Sequence, residues 1–337
     1  MIEKPNITDE RIISALQENF SIRVRSIEFL PLGLDAASWS YRVDADAERG
    51  VYFLKVRKGL PNPAGILIPR FLKEQGIEQV MTPLLSARRE AWEKVDDFYF
   101  ILYPFVRGEQ VMDVGMSDDH WVEFGAVMKQ LHTTKLTPDL ARQIRRETFT
   151  SHRLEWDQEL HAQVMLRGYN DPFQKELAEF WRENHATIGI ILERSEALAR
   201  RMQAAAPEFV LCHADIHTAN VLRTEDDKIF IMDWDETMLA PKERDLMFVM
   251  ESIFGDRLGG RAERLFFEGY GETEIDPLAL AYYRYNWCVE DMGGFAEQIF
   301  TTENVGEETK KSSIWWFKSL FSQGNSIESA LHTDIDF

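Results

Sequence analysis

The rhythm of apolar and polar positions changes about a third of the way along the 337-residue chain. Residues 8–20, TDERIISALQENF, have the spacing of a short amphipathic helix, with Thr8 or Asp9 as its N-cap. Short β-type runs follow: RVRSIEFLPL, a turn around Gly33 and Asp35, WSYRVDAD, a break at ERG, then VYFLKVRKG. The last two strands, joined near Glu48 to Gly50, predict an antiparallel hairpin. Residues 60–69, LPNPAGILIP, hold three prolines and a glycine, which argues against a long regular element. Residues 70–75 are expected to make one or two helical turns ended by Gly76, and a further hairpin-like pair is centred on LLSARR and FYFILYPFV.

After Arg107 helical spacing takes over, at 118–133, 173–205, 261–270, 276–300 and 312–322. One β-rich island interrupts it: EFVLCHAD, then NVLRTEDDKIFIMDWD, whose two apolar runs flank a turn at Glu225 to Lys228. The fold class is therefore α+β, with a β-rich N-terminal lobe (1–106) and a mainly helical C-terminal lobe (107–337).

Composition narrows the function. Lys plus Arg is 38 against 57 Asp plus Glu, a net charge of −19. So acidic a chain presents no broad positive field to nucleic acid or to an anionic membrane, and neither is expected as a partner. Residues 1–106 carry 14 basic and 15 acidic side chains, and 107–337 carry 24 and 42, so the excess sits in the second lobe. That excess is either a solvated surface or a field that draws in a cationic small molecule. Two cysteines, Cys212 and Cys288, cannot build a disulfide framework, and no run is apolar and long enough to span a bilayer. A soluble cytoplasmic protein is expected.

The chemistry gathers in Cys212-His213-Ala214-Asp215-Ile216-His217-Thr218-Ala219-Asn220 and, beyond the hairpin, Asp233-Trp234-Asp235. His213-x-Asp215-x4-Asn220 followed by an Asp has the spacing of a protein-kinase catalytic loop. There, one carboxylate accepts a hydrogen bond from an attacking hydroxyl, while a second carboxylate and an amide oxygen hold hard Mg²⁺ ions. A zinc site would need a further ligand cluster, and Cys212 ends an apolar strand, as core cysteines do.

HADIHTANVL followed by IFIMDWDE resembles the catalytic segment of the aminoglycoside phosphotransferase and choline kinase family. DWDETMLAPKERDLMF, and GYG followed later by YYRYNWCVED, are similar to its spectinomycin phosphotransferase branch. The resemblance implies a two-lobed protein-kinase-like fold with an inter-lobe hinge near 103–106. It also implies an O-phosphotransferase that uses ATP or GTP with Mg²⁺. The expected acceptor is a cationic small molecule, most readily an aminoglycoside or aminocyclitol antibiotic such as spectinomycin. A metabolic kinase for choline or homoserine, and a catalytically silent nucleotide-binding relative, are the alternatives.

By that match Asp215 is the catalytic base or hydroxyl-orienting residue, Asn220 and Asp233 bind magnesium, and His213 and His217 brace the loop. Lys55 in VYFLKV would reach the nucleotide phosphates. Gly33 and Ser38, with Ala36 and Ala37, would form the phosphate-covering turn. Backbone near Tyr103 to Phe105 would meet the adenine. Asp235 is assigned to the phosphate or substrate side. Glu290 and Asp291, with Glu297, either face a cleft and pair with ammonium groups or are solvated helix charges. One departure stands out: between Lys55 and Glu74 there is no acidic residue to act as the helix glutamate that usually orients the strand lysine.

Overall fold

The computed structural model describes residues 4–31, 37–46, 50–250, 259–303, 305–333 and 335. The chain opens with α1 (Asp9–Phe20), β1 (Val24–Leu30), β2 (Ser38–Ala45), β3 (Val51–Lys58), α2 (Ala64–Glu74), β4 (Glu93–Val95), β5 (Phe98–Pro104), β6 (Gly108–Gln110) and α3 (Val111–Val114). Then come α4 (Asp118–Thr133), α5 (Pro138–Ala141), α6 (His152–Leu166), α7 (Pro172–Glu183), α8 (His185–Ala204) and β7 (Val210–Cys212). It continues through β8 (Val221–Thr224), β9 (Ile229–Ile231), β10 (Met238–Ala240) and α9 (Glu243–Leu246) to α10 (Gly259–Tyr270), α11 (Pro277–Phe300), α12 (Glu307–Ser319) and α13 (Ser326–Leu331).

Two compact units result. The first comprises Met1–Met116, Pro138–Ile144 and Thr218–Thr237; the second comprises Ser117–Thr137, Arg145–His217 and Met238–Phe337. The first unit thus takes in more chain than a division at 106, because the β8–β9 hairpin joins it: Ile231 N–H donates to Gln79, and Met81 N–H to Ile231.

In the first unit five antiparallel strands run in the order β1-β2-β3-β5-β4. Alternation decides the faces. Trp39, Tyr41 and Val43 of β2, Leu54 and Val56 of β3, and Phe100 and Leu102 of β5 pack with Ile12 and Leu16 of α1. The opposite face carries Lys55 and Arg57, and Ile101 there packs with Ile66 of α2. The register sets Lys55 between Ser40 and Ile101, and Arg57 between Ser38 and Tyr99.

Four sequence expectations are corrected here. Residues 64–74 are a helix despite their prolines: Pro63 stands at its N-cap and only Pro69 lies inside. A proline at a helix start removes an amide that has no partner anyway. β5 forms its ladders with β3 and the short β4, while LLSARR makes no strand and meets β5 through the Leu84 N–H, which donates to the Leu102 carbonyl (2.7 Å). Residues 152–166, which apolar spacing does not mark, form α6, because Asp157 occupies its buried stripe beside Leu154, Leu160 and Val164. The 173–205 stretch divides into α7 and α8 at Asn184.

The second unit is mainly helical and is built around α11, whose Tyr283, Tyr285, Cys288 and Met292 are buried. Among its described residues β7 and β10 form a two-stranded antiparallel ribbon. Helices α4 and α10 cross backbone to backbone at two glycines. A Cβ on Gly269 would lie 1.8 Å from the Val122 carbonyl, and one on Gly125 would lie 1.9 Å from that of Phe266. Gly269→Ala therefore must push the helices apart, and we expect a loss of about 2–3 kcal/mol, as for an overpacked core, read as a lower urea midpoint. An unchanged midpoint would mean the crossing tolerates separation.

Candidate active site

The loop that carries Asp215 lies in the second unit and is shaped from beneath. Asp245, on α9, is buried, and its carboxylate accepts from the backbone N–H of His213 (2.9 Å) and of Ala214 (2.6 Å). His132 Nε2 lies 3.0 Å from the same carboxylate, and His132 Nδ1 lies 2.7 Å from the Tyr270 hydroxyl. Burial works against the Asp245 charge, but the His132 hydrogen bond, the nearby His132 and His213, and the Ala214 amide hold its pKa below the usual carboxylate value. Buried Ala214 has φ +70°, a conformation an alanine adopts only when its surroundings impose it. The two amides that Asp245 captures impose it here, and the chain turns so that Asp215 follows. Asp215 N–H donates to Nδ1 of the buried His213 (3.3 Å), and His217 Nε2 stands 3.5 Å from Asp215 Oδ1. Both histidines thus contact Asp215 within the loop.

Aromatic rings adjoin this loop. Phe248 and Trp287 have centroids 4.8 Å apart, and His217 lies 6.1 and 6.3 Å from them. Asp291 follows one turn after Trp287 on α11. Burial first, and then Glu290, push its carboxyl up to about 7, against the pull of Arg244 and of a hydrogen bond from Trp287. Glu290 is exposed and accepts from Ser151 (3.3 Å), and Glu297 pairs with Arg153 (2.8 Å). Of the three acids, Asp291 is thus the one tied to the ring cluster, while the other two are braced from α6.

His132, Cys212 and Asp245 bring their ligand atoms within 4.8 Å of one another. The carboxylate is already engaged by two amides and a histidine. Burial pushes the Cys212 thiol well up, and its Sγ faces the Ala240 and Pro241 carbonyls at 3.6 and 3.5 Å. This is a hydrogen-bonded core cluster, and burial makes its thiol a poor nucleophile.

In the first unit a second constellation forms. Thr218–Asn220 is a 3₁₀ turn leading into β8, and the ladder pairs Val221 with Ile231. Met232 N–H donates to the Asn220 carbonyl at 2.9 Å, which brings Asn220 to the end of the hairpin that carries Asp233. Asp233 itself has φ +53°. Amide and carboxylate oxygens are the donors that suit Mg²⁺, and Asp233 is partly exposed, so the residues fit that ion.

Lys55 Nζ donates to Asp233 Oδ1 and to Asp235 Oδ2, each at 2.9 Å. Burial alone would lower the lysine pKa, but the two carboxylates outweigh it and raise it, so the ammonium stays charged. Asp235, assigned above to the phosphate or substrate side, also accepts from Arg57 (2.7 Å). Glu74 ends α2 exposed and distant from this role. Ser38 lies opposite Arg57 on the same face, and Gly33 falls outside the described residues. Tyr103 is half-buried on β5, its hydroxyl pKa raised by burial. Phe105 N–H donates to the Val51 carbonyl (3.2 Å), so this amide serves a base only by giving up a sheet bond.

Sequence reasoning left Asp245, His132 and Arg57 without roles. Asp245 lay inside the quoted family-like stretch, and the signal that finds it is an acid on a short helix soon after the hairpin.

A β-rich unit with a partly buried, carboxylate-paired strand lysine, and a catalytic-type loop pinned on a helical unit, define a kinase-like phosphotransferase. The chain belongs to the phosphotransferase enzyme family (APH), whose pattern matches residues 31–283. Among solved structures it is similar to spectinomycin phosphotransferase APH(9)-Ia in complex with ADP and spectinomycin, with TM-score 0.88, 28% identity, and 98% of this chain and 99% of that chain covered. The AMP-bound complex of that enzyme gives TM-score 0.84 and 27% identity, with 98% and 100% covered. An ethanolamine kinase of Plasmodium vivax shares the fold at TM-score 0.55 and 10% identity, with 96% and 86% covered. No curated protein matches the chain significantly. Among the described residues no helix is long and apolar enough to cross a membrane.

Proposed function

We propose that this phosphotransferase moves the γ-phosphoryl group of a nucleoside triphosphate, ATP or GTP, to a hydroxyl of a cationic small molecule, an aminocyclitol such as spectinomycin. The observation that carries the reading is the similarity, over nearly the whole of both chains, to an enzyme crystallised with ADP and spectinomycin. The ring cluster of Phe248, Trp287 and His217 beside the Asp215 loop supports it, since aromatic faces and a nearby carboxylate suit an ammonium-bearing ligand. Two buried free cysteines accord with a cytoplasmic enzyme, where nucleotide is plentiful.

In this reading Asp215 accepts the hydroxyl proton as the oxygen bonds to the γ-phosphorus, while the β–γ bridging P–O bond breaks and the diphosphate leaves. Lys55 holds the non-transferred phosphates. Asn220 and Asp233 hold magnesium, which when bound neutralises charge developing on the phosphate oxygens. Backbone near Tyr103 and Phe105 lines the base. Asp291, with Glu290 behind it, attracts the acceptor's ammonium group. The reading is tested by magnesium-dependent nucleotide consumption with spectinomycin, other aminoglycosides, choline and homoserine. Turnover with spectinomycin supports it, and turnover with choline or homoserine alone moves the enzyme to metabolism.

The Asp291 assignment carries a pH signature. A carboxyl with pKa about 7 is one-tenth ionised one unit below and nine-tenths ionised one unit above. KM for a cationic acceptor should therefore fall by up to about tenfold as pH rises through 7, with kcat little changed. Asp291→Asn should flatten this dependence. A KM that ignores pH in the native enzyme would remove Asp291 from the acceptor site.

A further inference from the structure

Kinases that orient the strand lysine with a helix glutamate keep that pair when the metal-binding aspartate turns to its ion. Here α2 carries no acid before Glu74, at its far end. It also packs too closely on the DWDE segment to interpose one: a Cβ on Gly65 would lie 2.7 Å from the Trp234 carbonyl. Of the two carboxylates that hold Lys55, Asp233 is the one the proposed metal would claim. We propose that Asp235, braced by Arg57, is the residue that positions Lys55 for the nucleotide phosphates, in place of the helix glutamate. The proposal rests on the phosphotransferase reading above and names a part of its nucleotide site that the family motif leaves open.

Three observations support it. Lys55 and Arg57 lie two residues apart on β3, so the pleat aims both from one face, and both donate to the same oxygen, Asp235 Oδ2, at 2.9 and 2.7 Å. Arg57 Nε is buried with no hydrogen-bond partner, so the guanidinium sits where Asp235 needs it rather than where its own donors are best satisfied. The Asp235 backbone is held as well: Asn62 Nδ2 donates to its carbonyl at 2.8 Å, while Asn62 Oδ1 accepts from Ala64 N–H at the start of α2. The carboxylate is therefore fixed from its side chain and from its main chain. It stays in place for Lys55 when Asp233 turns to the metal, and α2 delivers this arrangement without an acid of its own.

The rival role for Asp235 is a second oxygen ligand to magnesium, and the test separates the two. In the free protein, lysine ¹⁵N labelling and NMR follow the exchange of the Lys55 ammonium protons with water. Asp235→Asn should raise the Lys55 rate several-fold, since one of the two hydrogen bonds that hold the ammonium is lost. Calorimetry with magnesium and ADP should show affinity about tenfold weaker in Asp235→Asn and about three- to tenfold weaker in Arg57→Gln. Adding Arg57→Gln to Asp235→Asn should cost little more, because the two act through one bond. The magnesium concentration needed for half-maximal nucleotide binding should stay unchanged, and Asp235→Glu should recover part of the loss. An unchanged Lys55 rate, or a several-fold higher magnesium requirement, would overturn the proposal, and so would independent losses at the two sites. The exchange measurement uses neither nucleotide nor acceptor, so it judges the Lys55–Asp235 pairing even if the acceptor proves to be another molecule.

Discussion

Asp215→Ala should abolish phosphoryl transfer while leaving nucleotide binding intact. The expected loss is about 10²- to 10⁴-fold in turnover, the usual worth of a positioned proton acceptor. Nucleotide affinity should stay within about twofold, because the groups assigned to the phosphates and magnesium (Lys55, Asn220 and Asp233) are untouched and lie in the first unit. The variant should also fold, since the Asp215 side chain is partly exposed. The shape of the loop comes instead from amides and from buried His213. Asp215→Asn should fall nearly as far, for an amide can orient a hydroxyl but cannot take its proton. Steady-state turnover beside calorimetric nucleotide binding reads both quantities. If affinity falls as far as turnover, Asp215 belongs to the nucleotide site rather than to the acceptor hydroxyl.

The second large effect is expected at a residue that touches no substrate. Asp245→Ala removes the acceptor for two buried amides and for His132 at once. Stranding such groups costs about 3–5 kcal/mol, a large share of the stability of an ordinary domain. Ala214, at φ +70°, would then have nothing to hold it there and should relax, moving Asp215 with it. We expect a strongly lowered urea midpoint, and turnover reduced further than the unfolded fraction explains. Asp245→Asn keeps one acceptor oxygen and should fall between.

The effect has a pH sign. The folded pKa of Asp245 is lowered, so its stabilisation is present above the unfolded value of about 4 and is lost as pH falls through the folded one. The gap in stability between the native chain and Asp245→Ala should therefore be full at neutral pH and close in acid below about pH 4. A gap that widens in acid would contradict the ionised assignment.

What could be read in the sequence was what is local in it. Asp215 and Asn220 lie on one loop, Asp233 on the hairpin that follows, and Lys55 in a strand whose alternation announces itself. Residues that act from far along the chain were not legible. Lys55 meets Asp235 across 180 positions, and Asp245 meets Ala214 across 31. Nothing in composition or period links such pairs; only the fold does. Two helices hid for opposite reasons. The prolines around α2 suggested a break, although only Pro69 is inside the helix. In α6 a buried Asp157 interrupts the apolar stripe, and Gly293 on the facing helix has no Cβ to collide with it. The same difficulty left the acids of α11 undecided between cleft and surface. Their partners lie on other elements or a turn away: Glu290 is met by Ser151 and Glu297 by Arg153, while Asp291 turns to Trp287.

The central claim is that this chain carries a phosphoryl group from nucleotide to an acceptor hydroxyl with Asp215 taking the proton. The most direct measurement is the mass of spectinomycin after incubation with the full chain, magnesium and ATP or GTP, with Asp215→Ala in parallel. The account predicts spectinomycin carrying one added phosphoryl group with the native chain and essentially none with the variant. Unmodified spectinomycin with both nucleotides, or equal phosphorylation by the variant, would contradict it.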